Sequence, residues 1–96
     1  MTIKTVKKEL KKFNAIFTTP RVVEVNVKGE PIIEMVPVYF PFSRKKRLEI
    51  TYSVKTGKIL GIRVVDWEKK IPLYFLTNNL HFAIKILKGQ KIKNQK

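Results

Sequence analysis

A single small α+β domain is the fold class that this 96-residue sequence predicts, and three observations predict it. Apolar residues recur at spacings of three and four over the first segment, which is a helical period. From Pro20 to Leu76, Val, Ile, Tyr and Phe dominate and turn signals divide them, which is a strand pattern. A second helical pattern follows. The predicted order is α-β-β-β-β-β-α over residues 1–89, a mainly antiparallel curved sheet with both helices packed on it. Residues 90–96 read as a basic, flexible tail.

The first helix is expected between Met1 and about Phe17. Ile3, Val6, Leu10, Phe13 and Phe17 form its apolar stripe, and lysines fill the opposite arc. Thr2 suits the N-cap, and Pro20 forbids continuation. Five strands are expected at Arg21–Lys28, Ile32–Phe40, Arg47–Val54, Lys58–Asp66 and Ile71–Leu76. Pro37 cannot donate to a ladder, so the second of these reads as a bent or bulged edge. The turn at Lys28-Gly29-Glu30-Pro31 leaves two registers open.

The hairpin at Val54-Lys55-Thr56-Gly57-Lys58 is more sharply specified. A three-residue loop with a left-handed glycine places Ser53 opposite Ile59, Tyr52 opposite Leu60, Ile50 opposite Ile62 and Leu48 opposite Val64. One apolar face results, and Glu49 meets Arg63 on the other. The last helix is offered N-caps by Thr77-Asn78-Asn79 and a stop by Gly89. Its apolar residues Leu80, Phe82, Ala83, Ile84, Ile86 and Leu87 span roughly 200° of the helical wheel, wider than one sheet face covers.

Composition narrows the classes of function. Cysteine is absent, which excludes disulfides and thiolate metal sites. No apolar run reaches the roughly 18 residues of a membrane span, and a soluble intracellular protein without membrane attachment is expected. Neither a phosphate-binding glycine loop nor converging carboxylates are visible. His81, the one histidine, falls on the polar edge of the last helix. The reading is therefore of a non-enzyme with no cofactor and no metal.

Charge carries the functional expectation. Twenty-one Lys and Arg oppose seven Asp and Glu, a formal net charge of +14. Such an excess repels itself and favours a polyanion, whose condensed counterions are released on contact. The stretch Tyr39-Phe40-Pro41-Phe42-Ser43-Arg44-Lys45-Lys46-Arg47 reads as a loop that joins aromatics to four consecutive cations. Cations tracking phosphates beside stacking rings are the chemistry of single-stranded nucleic-acid binding. The candidate contacts are Tyr39, Phe42, Arg44, Lys45, Lys46, Arg47, Trp67, Lys69, Lys70 and Tyr74. Strand parity places Trp67 on one side with Ile59, Arg63 and Val65.

Single-stranded DNA or RNA is expected ahead of duplex. The second reading is a small interaction or inhibitor protein of viral or phage type, whose cationic surface covers an acidic site on another protein. A small ribonuclease of toxin type is a third. The flank formed by Phe82 and Ile86, together with the open sheet edges, predicts a homodimer.

Overall fold

The computed structural model describes residues 1–66 and 80–89, together with the backbone of residues 73–77. It is an α+β fold with one antiparallel sheet and two helices, as the sequence predicts. Helix α1 spans Ile3–Leu10 and continues as a 3₁₀ turn over Lys11–Phe13. Strands follow at β1 Ile16–Phe17, β2 Arg21–Val25, β3 Pro31–Phe40, β4 Ser43–Ser53, β5 Ile59–Asp66 and β6 Leu73–Thr77, and helix α2 closes the order at Leu80–Leu87. From β2 to β6 each strand pairs with its neighbour in sequence, while β1 adds to β3 beside β2.

The first helix is shorter than its apolar stripe predicts, and the cause is Asn14 rather than Pro20. Asn14 adopts a left-handed φ of 60°. Its N–H donates to the Lys11 carbonyl, and the Ala15 N–H donates to that of Leu10. This pair of bonds is a Schellman motif, which satisfies the last free carbonyls and turns the chain out of the helix. Phe17, expected at the end of the helix, instead sits in β1 opposite Val38. At the other end Thr2 caps as expected, its Oγ1 accepting from the Thr5 N–H.

Pro37 lies inside the sheet, not on an edge strand. It pairs with Glu49 of β4, and its carbonyl accepts from both the N–H and the hydroxyl of Thr18. In a strand the nitrogen and carbonyl of one residue point to the same side. The missing donor therefore falls at the joint between β1 and β2, where the chain passes through Thr18-Thr19-Pro20. The β2–β3 turn is organised by Asn26, whose Oδ1 accepts from the N–H groups of Lys28 and Glu30, with Gly29 at a φ of 82°. This fixes Val25 opposite Pro31 and Val22 opposite Glu34.

The β4–β5 hairpin keeps its deep register and changes its mouth. Ile50 faces Ile62, Leu48 faces Val64 and Glu49 faces Arg63, as the pattern predicts. The loop, however, has four residues: the Gly57 N–H bonds to the Ser53 carbonyl, and the Ser53 N–H to that of Lys58. Gly57 supplies the left-handed φ of 74°. Tyr52 consequently meets Ile59, and a bulge at Leu60 restores the register beyond it. Leu60 leaves the apolar face and is exposed, while Ile59 joins the Tyr52 side rather than the side of Arg63.

One face of the sheet carries both helices. Val36, Val38 and Phe40 of β3, Leu48, Ile50 and Tyr52 of β4, and Ile62 and Val64 of β5 form a buried cluster with Val6 and Leu10 of α1 and Ala83, Ile84 and Leu87 of α2. Phe82 and Ile86 are half-buried, so the flank expected to be bare is partly covered within the chain, with Ile86 packed against this cluster. Gly89, at a φ of 77°, ends α2 as expected, and His81 is exposed as expected. Among the described residues no helix is long and apolar enough to cross a membrane.

Candidate nucleic-acid interface

The basic run expected in a loop is part of a strand. β4 begins at Ser43, so Arg44, Lys45, Lys46 and Arg47 alternate across the sheet before the apolar residues begin. That alternation gives them different tasks. Lys46 lies on the helix-bearing side and its Nζ donates to the Ile86 carbonyl at 3.4 Å. A cation there offsets the negative end of α2, at a carbonyl that also accepts from the Gly89 N–H. Arg47 lies on the opposite side and is held twice, donating from Nη1 to the Tyr39 hydroxyl at 2.6 Å and from Nη2 to Glu49 Oε2 at 2.9 Å. Arg63 approaches the second oxygen of Glu49 at 3.8 Å.

Burial alone would favour losing the Arg47 proton, but the bonds to Tyr39 and Glu49 outweigh it and hold the guanidinium pKa above its ordinary value. Tyr39 and Arg47 therefore form a fixed unit on the side without helices. Their mutual bonds, and the counter-charge of Glu49, leave them less to offer a polyanion. Arg44 and Lys45 remain exposed.

On the helix-bearing side the arrangement is different. Phe42 is half-exposed and packs its ring at 5.1 Å from Phe40 and 6.5 Å from Phe13, which ties the β3–β4 turn to the end of the first helix. Lys88, one residue beyond α2, places its ammonium 5.1 Å from the Phe13 ring and 5.7 Å from the Phe42 ring. An open cleft of about 250 Å³ forms here, lined by Phe42, Arg44, Lys45, Lys46 and Lys88 among others. The structure thus joins Phe42 to three of the four cations expected beside it. It adds Lys88, which sequence distance concealed.

A second cationic groove has no counterpart among the contacts expected from sequence. Lys4, Lys7 and Lys8 of α1 and Lys11 at the start of the 3₁₀ turn are spaced i, i+3, i+4 and i+7 and so share one flank. With Phe17 of β1 they line a groove of about 420 Å³, and the Lys7 ammonium lies 5.7 Å from the Phe17 ring. Among the described residues no carboxylate lines either groove. Glu9, the acid of this helix, pairs with Lys12 on another flank. The helical spacing of the lysines is visible in the sequence. What is not visible there is Phe17 turning back in β1 to form the floor.

Trp67, Lys69 and Lys70 lie outside the described residues, as does the tail at 90–96. Tyr74 is described by its backbone alone, in β6 opposite Val65. Among the described residues no three of His, Cys, Asp and Glu converge as a metal site would require. No protein-family model matches the chain, and no curated protein and no solved structure shows significant similarity to it.

Proposed function

We propose that this protein binds nucleic acid without catalysis, single strands in preference to duplex, through the helix-bearing side of its sheet. One observation carries the reading: two grooves, each lined by four cations and an aromatic ring, with no acid among the described residues that line them. Lysines three and four positions apart on a helix are about one turn's rise from one another, on the order of 5 Å at 1.5 Å per residue, close enough to follow successive phosphates. Phe42, with nearly half of its surface open, offers a face on which a base can stack. A single strand can enter such grooves and present its bases to them. A duplex keeps its bases stacked inside.

Fluorescence-anisotropy titrations with single-stranded DNA, single-stranded RNA and duplex DNA at two salt concentrations test it. Single strands should bind more tightly and with strong salt dependence. Changing Lys4, Lys7, Lys8 and Lys11 to Gln should reduce the slope of log K against log salt by roughly 0.7 for each phosphate that is no longer neutralised. Phe42→Ala should weaken single-strand binding by roughly 1–3 kcal/mol if the ring stacks on a base. Affinity and slope unchanged by the lysine variant would remove the α1 groove from the interface. No binding to any of the three would overturn the reading.

A further inference from the structure

The β2–β3 hairpin is unlike the rest of the surface. Every residue of β2, Arg21–Val25, is exposed, and among the described residues the strand pairs with β3 alone. Val22, Val23 and Val25 are each about half-open, Val27 is fully open, and Ile32 across the turn is also exposed. No residue between Arg21 and Met35 belongs to the buried core cluster. The segment is a largely apolar arm with a free edge, without lysine or proline at its five positions, although Arg21 and Glu24 are charged and its pairing with β3 is irregular on both sides of Glu24.

Its charge is equally distinct. From Arg21 to Met35 there are two cations, Arg21 and Lys28, and three carboxylates, Glu24, Glu30 and Glu34. The arm has a formal charge of −1, which leaves +15 on the remaining residues. Two copies of a chain with net charge +14 repel one another over most of their surfaces. The arm is a surface across which they can approach with least of that penalty, since moderate salt screens charges more than roughly 8–10 Å away.

We infer that β2 is a self-association strand, pairing antiparallel with β2 of a second copy about a two-fold axis near Val23. Such an axis makes the contact isologous, so one patch serves both partners and the assembly closes at two. Continuation of the sheet would satisfy the free edge, and the valines of each strand would gain cross-strand neighbours from the other on both faces. The contact sits apart from the two cationic grooves and does not depend on the nucleic-acid reading.

Sedimentation equilibrium of the full chain, without nucleic acid, at micromolar concentration and moderate salt is the test. The expected mass is that of two chains. The variant carrying both Val23→Lys and Val25→Lys should sediment as one chain and still unfold in one cooperative transition, at a melting temperature that no longer depends on protein concentration, because both side chains are outside the core. A register-specific check uses the absence of cysteine from the chain. Paired residues of antiparallel strands have Cα separations of roughly 4.5–5.5 Å, within disulfide range. Val23→Cys should therefore cross-link into dimers under mild oxidation, while Leu60→Cys, equally open but on β5, should not. A one-chain mass for the unmodified protein, or a two-chain mass that survives the double lysine change, overturns the inference.

Discussion

Tyr52 and Arg47 stand five positions apart on β4 and show how strand parity separates two kinds of polar contact. Tyr52 faces the core side, and its hydroxyl donates to Glu34 Oε1 at 2.9 Å in a part-buried bond. Burial, followed by that bond and the negative charge of Glu34, pushes its pKa up to about 12. The folded state therefore holds the proton more tightly than the unfolded chain, whose tyrosine titrates near its ordinary value of about 10. The resulting stability is fully present below about pH 10 and is lost as pH rises towards 12. Tyr52→Phe should lower stability at neutral pH by about 2 kcal/mol, as for a hydrogen bond to a charged group. It should also flatten the alkaline decline, and urea melts at pH 8, 10 and 11 would show both effects. Arg47 gives the complementary case. Changing Arg44 and Lys45 to Gln should leave the melting temperature nearly unchanged, since both are exposed. Arg47→Gln should cost about 2 kcal/mol, because Tyr39 and Glu49 lose their shared donor. In the sequence the four cations form one block. Only the paired strand shows that Arg47 serves the fold and Lys46 the end of α2.

At the scale of elements, much of the fold was legible where a period was long or a turn residue unambiguous. The Leu48, Ile50, Ile62 and Val64 register follows from alternation alone, because a shift of one residue would turn the whole set to the other face. Gly57 and Gly89 mark the positive-φ turns that their positions suggested. The misreadings have a common physical cause. A helical stripe says which residues would share a face, but not where the backbone finds a better partner. Asn14 closes α1 early and Phe17 goes to the sheet. At the hairpin mouth, a four-residue loop and the Leu60 bulge offset one another, so an error of one residue left the deeper register intact. The cleft of Phe42, Arg44 and Lys88 was only half legible, because its members are brought together by α2 packing across the sheet. Two substitutions test the turns. Gly57→Ala should cost roughly 1–2 kcal/mol from backbone strain alone, since the added Cβ would meet Ile3 only at an ordinary 3.6 Å. Asn14→Ala should lose about 1 kcal/mol while Asn14→Gly should not, because only glycine takes the left-handed position freely. Thermal or urea melts of the three variants check this.

From β2 to β6 the sheet is a meander of neighbouring strands, and the longest-range of the described backbone pairings outside it joins the N-terminus to a hairpin. The Ile3 N–H bonds to the Gly57 carbonyl at 2.7 Å, Ile59 donates to Met1 at 3.0 Å, and Thr2 forms an isolated bridge with Lys58. The segment that starts α1 is thus fastened to the β4–β5 hairpin across more than fifty residues of chain. Contacts between sequence neighbours form with little loss of chain entropy, whereas this one requires a long loop to close. Its anchor, moreover, does not exist until Gly57 has made its turn. The expected order is hairpin first, sheet core next, and α1 with its Val6 and Leu10 last over an already assembled surface. Kinetics can read this directly. Leu10→Ala should destabilise the protein by about 3 kcal/mol, with nearly all of the effect in faster unfolding and little in slower folding. Ile62→Val, in the hairpin core, should slow folding instead. A φ-value near one at Leu10 would reverse the order. On that order, the lysine groove that α1 builds with Phe17 would be completed only after the sheet beneath it has formed.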